Sequence, residues 1–273
     1  PFDDLAAHGI NTIIMSFGNL ADSLSGFEGG INKFITLAKN VGLKFYAMSY
    51  FQTGNDGGVK DPSNSAYISS MSTNATQLFE DIPNLDGLVF DDFVYPLSLH
   101  NQNNETAEEQ TLANFASTVK TAVHTGKSTA ILGGCIYPTD DAQGTDITSF
   151  ANAFDIILPE IYRKSNYSYT LTSTYVQERI TDIMSKAGSN KVVPLLLTFK
   201  GDPDLSSQWD ITTLHADLQT ILNANTTGYG WFEYLWFKDG LLPSLQAPYQ
   251  GTHSIRVQTG GYQAGEGVKI PIS

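Results

Sequence analysis

Apolar, β-rich runs recur along the chain at intervals of roughly 25 to 45 residues, and the stretches between them carry apolar residues at three- and four-residue steps. The runs predict seven strands: Asn11 to Phe17, Lys44 to Phe51, Gly87 to Phe93, Ser128 to Tyr137, Phe154 to Tyr162, Lys191 to Phe199 and Tyr229 to Phe237. Between them, Ile31, Phe34, Ile35 and Ala38 share one helical face, as do Leu112, Phe115, Val119, Ala122 and Val123, and again Ile211, Leu214, Leu218, Ile221 and Leu222. Ile156-Ile157-Leu158 and Val192 to Leu197 are apolar almost throughout, the mark of strands covered on both sides. Strands alternating with helices require a parallel sheet with crossover connections, and at this length a (β/α)8 barrel of the TIM type is the expected fold.

Seven units are one short of that barrel. The chain opens with a helix-like segment, Phe2 to His8, that feeds directly into the strand at Asn11, so the first strand is the one expected to be missing. Residues 1–250 are read as the barrel and 251–273 as a β-rich tail, because His253 to Gln258 and Val268 to Ile272 alternate in polarity around Gly260 and Gly261. The tail reads as antiparallel. Either it completes or plugs the barrel or it begins a second β domain or pairing strand, the second being favoured.

Composition narrows the function classes. The 41% hydrophobic and 11% aromatic content supports a large core, while only 16% of residues are charged, leaving a mostly uncharged polar surface. A balance of 15 Lys and Arg against 28 Asp and Glu gives −13, which repels nucleic-acid phosphates and anionic membranes. No apolar run approaches the roughly 20 residues needed to span a bilayer, so no membrane insertion is expected. Cys135 is the only cysteine, which rules out an intramolecular disulfide, and it lies in no recognised thiol-enzyme motif. The histidines show no metal-ligand spacing; no metal and no cofactor are expected. N-x-S/T sequons at Asn74, Asn104, Asn166 and Asn225 lie in polar stretches and point to an exported, extracellular or cell-surface protein.

In such barrels the chemistry sits at the carboxyl ends of the strands. All seven predicted ends pair an aromatic residue with polar or acidic groups, a combination that suits a sugar ring with its apolar C–H face and hydroxyl equator. The richest is Asp86-Gly87-Leu88-Val89-Phe90-Asp91-Asp92-Phe93-Val94-Tyr95-Pro96. Alternation from Val89 points Asp91 into the barrel mouth, with Asp92 at its edge, and a carboxylate there is costly unless used or paired. A structural tie to Arg163 is the alternative for Asp91, and a loop or helix cap for Asp92. Parity also puts Glu160 and Tyr162 on one face of their strand, with Arg163 or Lys164 as ion-pair alternatives for Glu160.

This segment resembles the D-G-(x)3-D-D-[FY]-x-[YF]-P strand of glycosidase-like barrels related to family ten glycoside hydrolases. More distantly it is similar to the fourth strand of the α-galactosidase clan and of endo-α-polygalactosaminidases. Asp155-Ile156-Ile157-Leu158-Pro159-Glu160-Ile161-Tyr162 resembles the sixth strand of the same glycosidase-like group. The resemblance implies that Asp91 stands where the α-galactosidase clan has its nucleophile and that Glu160 stands where a sixth-strand acid can sit. The chain departs from family eighteen chitinases, whose strand carries acids two residues apart: Val89 and Phe93 are expected at the flanking inward positions here.

The expected function is therefore cleavage of a polysaccharide or glycan by paired carboxylates, Asp91 with Glu160, assisted by Asp92 and by Glu233, which shares a strand face with Trp231 and Leu235. Tyr50, Tyr95, Tyr137, Tyr162 and Trp236 are the expected substrate-contacting aromatics. Carbohydrate is the expected partner. The rival is a non-catalytic glycan-binding or structural surface protein that self-associates through its tail; it predicts that Asp91 and Glu160 are far apart or locked in ion pairs.

Overall fold

The computed structural model describes residues 2–7, 9–140, 144–162, 174–197, 210–232 and 252–257. Eight parallel strands close a barrel in chain order: β1 Thr12–Ser16, β2 Lys44–Tyr50, β3 Gly87–Asp91, β4 Ile131–Ile136, β5 Ile156–Ile161, β6 Leu195–Leu197, β7 Gly228–Phe232 and β8 Thr252–Val257. The helices are α1 Phe2–Ala7, α2 Leu24–Asn32, α3 Ile35–Asn40, α4 Ser65–Asp81, α5 Glu105–Gly126, α6 Ile147–Ala153, α7 Tyr175–Ala187 and α8 Ile211–Asn223.

All seven expected strands are present, and the first five end one or two residues before the expected bounds. β6 starts late, at Leu195, because a 3₁₀ turn occupies Ser189–Lys191 and Pro194 has no N–H to give to a ladder. The tail reading changes. β8 pairs in parallel with both β1 and β7, with Thr12 opposite Ser254 and Gly230 opposite Ser254 on the other side. The vacancy inferred before Asn11 is thus taken by 252–257, and the strand is parallel where antiparallel pairing was expected. Alternating polarity fixes the two-residue period of a strand but not its direction.

Two apolar layers result from strand alternation. Inward residues Ile14, Met48, Val89, Cys135, Leu158, Val193 and Leu195 fill the barrel, while outward residues such as Ile13, Phe45, Phe90, Leu132 and Ile157 pack beneath the helices. Helix starts are fixed by side-chain caps: Ser23, Asn64, Asp146 and Asp210 each accept a backbone N–H of the first turn. On the outer side, Phe93 lies 4.4 Å from Phe51, 4.8 Å from Phe154 and 5.2 Å from Phe150, centroid to centroid, in an all-phenylalanine box behind β3. Gly134 makes room for that box, since a Cβ there would stand 2.8 Å from the Phe154 ring.

The feet of β3 and β5 are built alike. Asp86 donates its N–H to the Phe45 carbonyl at 3.0 Å and accepts the Phe45 N–H on its carboxylate at 2.7 Å, with Lys39 of α3 paired to the same group. At β5 the carboxylate of Asp155 meets Leu132, Lys120 and His124. The aspartates that open both recognised motifs therefore lie at the amino ends of their strands, where they serve stability.

Candidate active site

At the carboxyl ends, β3, β4 and β5 bring three side chains to one point. One carboxylate oxygen of Asp91, the Sγ of Cys135 and one carboxylate oxygen of Glu160 all lie within 4.8 Å of one another. All three side chains are buried, with Asp91 at 7% and Glu160 at 9% exposure, so the two acids meet just above the apolar filling of the barrel and not on its open rim. Strand parity accounts for the convergence. Val89 and Asp91 point inward on β3, Leu158 and Glu160 on β5, and Cys135 between them on β4.

Tyr50 ends β2 directly opposite Asp91 in the ladder and is half-buried. Tyr162 follows Glu160 on the inner face and stacks on Phe232 of β7, with centroids 5.7 Å apart and planes 16° from parallel. Tyr137 follows β4 and is half-buried. Tyr95 is half-buried and packs against the outer apolar layer; burial, and then the charges of Asp61 and Glu108, push its hydroxyl up. Its loop is anchored where it meets α5, because the buried Glu108 carboxylate takes His100 Nδ1 at 2.6 Å and the Asn101 N–H at 2.7 Å.

Asp92 ends the strand in the left-handed region, φ 45°, and its side chain is exposed. Its carbonyl accepts Gln52 Nε2 at 3.0 Å and the Val94 N–H at 2.8 Å. This turn corrects the expectation for Phe93. Alternation would aim Phe93 inward, but the left-handed residue before it breaks the two-residue period, the Phe93 N–H reaches the Cys135 carbonyl at 2.7 Å, and the ring goes out to the phenylalanine box. Cys135 is the site residue that sequence reasoning passed over; counting along β4 from Ile131 marks it as inward-facing, but not as a neighbour of the two acids.

Glu233, Trp236, Asn166 and Arg163 lie outside the described residues. Asn104 at the head of α5 and Asn225 after α8 are exposed, whereas Asn74 is half-buried on α4 with its amide nitrogen donating to the Leu20 carbonyl at 2.8 Å. Among the described residues, Asp91, Cys135 and Glu160 are the group able to offer a metal three converging donors, one sulfur and two oxygens, a set that suits a borderline-soft divalent ion. Among those residues, no helix is long and apolar enough to cross a membrane.

No family model matches the sequence, and no curated protein matches it either. Solved structures do. The PgaB (BpsB) glycoside hydrolase domain from Bordetella bronchiseptica superposes with a TM-score of 0.68 at 10% identity, covering 91% of this chain and 92% of that one. A chitinase from Rhizomucor miehei gives 0.64 at 13% identity over 90% of this chain and 94% of that one. A family 5 glycoside hydrolase from Prevotella bryantii, in complex with a xyloglucan tetradecasaccharide, gives 0.62 at 13% identity, covering 84% and 77% respectively. The fold is thus a (β/α)8 barrel, and its structural neighbours are glycoside hydrolases. At these identities the likeness is one of architecture.

Proposed function

We propose that this protein is an extracellular glycoside hydrolase that cleaves a polysaccharide or glycan with Asp91 and Glu160, and that it belongs near the family-ten-like group its β3 sequence resembles. The observation that carries the reading is the separation of those two groups, within 4.8 Å between donor atoms at the ends of β3 and β5. A protonated acid beside an ionised nucleophile is what glycoside cleavage needs.

The short separation falls with the retaining geometry of about 5 Å and not the wider one that leaves room for water. In the first step the Asp91 carboxylate attacks the anomeric carbon while Glu160 passes its proton to the departing glycosidic oxygen. In the second, Glu160 takes a proton from water, whose oxygen attacks the same carbon and releases Asp91. Tyr50, Tyr137 and Tyr162 line the substrate's path, Tyr95 stands on the adjoining loop, and Asp92 acts on substrate hydroxyls; Trp236 and Glu233, outside the described residues, stay candidates from the sequence for the same roles. Asn104 and Asn225 are the sequons best placed to carry glycan. The close spacing supports this reading over a non-catalytic barrel, which needs no such convergence.

The test is hydrolysis of a polysaccharide panel (xyloglucan, β-1,4-mannan, β-1,4-galactan, glycol chitin and a glucosamine polymer), with the anomer of the first product followed by proton NMR. Asp91→Asn and Glu160→Gln should each lower kcat about 10²- to 10⁴-fold. Full activity in either variant, or no release of sugar by the wild type across the panel, would overturn the proposal.

A further inference from the structure

We propose that Cys135 is a positioning residue for the acid pair, a spacer rising from β4 that fixes the separation of the Asp91 and Glu160 carboxyl groups. The inference rests on the proposed glycosidase reading. Cys135 occupies the strand between the two that carry the acids, is fully buried, and has its Sγ within 4.8 Å of both. Directly below it on the same face β4 has no side chain. A Cβ at Gly133 would come 2.9 Å from Leu158 and 3.3 Å from Val89, which lean across β4 from either side. Cys135 is therefore the first β4 side chain above Gly133, and it emerges at the level of the acids.

The residue type fits that task. A thiol is small, so it packs against both carboxyl groups without forcing them apart. Alanine would leave a hole, and a residue branched at Cβ would press on the acids. Because in-line attack depends on placement to within about 1 Å, pressure of this kind should be read in turnover and not in substrate affinity.

The experiment compares wild type, Cys135→Ser and Cys135→Val on whichever polysaccharide of the panel the wild type cleaves, with melting temperatures alongside. Serine, of nearly the same size, should keep kcat within about threefold, whereas valine should lower kcat about 10- to 100-fold with KM within about twofold and an unchanged melting temperature. The proposal is overturned if valine leaves kcat intact, if its loss comes with a raised KM or a lower melting temperature, or if serine loses as much as valine. Inactivity of the wild type across the panel would instead remove the glycosidase reading on which the role depends.

Discussion

Asp155 meets Leu132 twice: its N–H donates to the Leu132 carbonyl at 3.0 Å, and its carboxylate accepts the Leu132 N–H at 2.9 Å. The group also holds Lys120 at 2.8 Å and His124 at 3.0 Å. Burial alone would push this carboxyl up, but the Leu132 N–H, Lys120 and His124 together outweigh it and hold it below the usual carboxylate range. A depressed folded-state pKa contributes stability that is present above the unfolded value, near 3.9, and is lost as pH falls through the folded one. Asp155→Ala should therefore cost about 1–3 kcal/mol at pH 7. In urea melts the gap from wild type should narrow below about pH 4; a gap independent of pH would assign the loss to packing alone.

Glu28 of α2 shows the opposite sign. Burial, then a hydrogen bond to Asp81 of α4 and repulsion by its charge, push the Glu28 carboxyl up. Its Oε1 is buried with no hydrogen-bond partner among the described residues. A raised carboxyl pKa means that the folded chain binds the proton more tightly than the unfolded one, so the charge costs stability above the folded pKa and the cost vanishes as the group protonates. Glu28→Gln removes the charge and offers Asp81 an N–H. It should raise the melting temperature at pH 7.5 by about 1–3 °C, with the gain shrinking toward pH 4, as calorimetry at several pH values would read.

The phenylalanine box behind β3 depends on one missing atom. Gly134→Ala places a Cβ 2.8 Å from the Phe154 ring, in a layer where Phe90, Phe93 and Phe150 leave that ring no free direction. The substitution should destabilise the barrel by about 1–3 kcal/mol in urea unfolding. A stability equal to wild type would mean that the box can slide as a unit.

Most of the scaffold could be read from the chain because a buried parallel strand needs an unbroken apolar run, as at Ile156 to Leu158, and each covering helix needs a stripe such as Leu112, Phe115 and Val119. The inward aim of Asp91 and Glu160 followed from the same parity. Three things did not. Phe93 turned outward because Asp92 adopts a left-handed conformation that an aspartate tolerates but does not announce. The convergence of Cys135 with the acids depends on which strands are neighbours and in what register, and that is a property of the closed ring. The direction of the last strand escaped because it is set by pairing with β1 and β7, which lie far away in sequence.

That last strand has a consequence for how the protein is made. Thr252–Val257 is wedged between strands that begin at residues 12 and 228, so the ring cannot shut until residue 257 has left the ribosome. Until then Thr12–Met15 and Gly228–Phe232 are bare edges offering unpaired N–H and carbonyl groups to any neighbour. A product cut short before residue 252 would keep those edges permanently, so premature termination should yield sticky chains rather than quiet ones, which gives the cell reason to shield or destroy them.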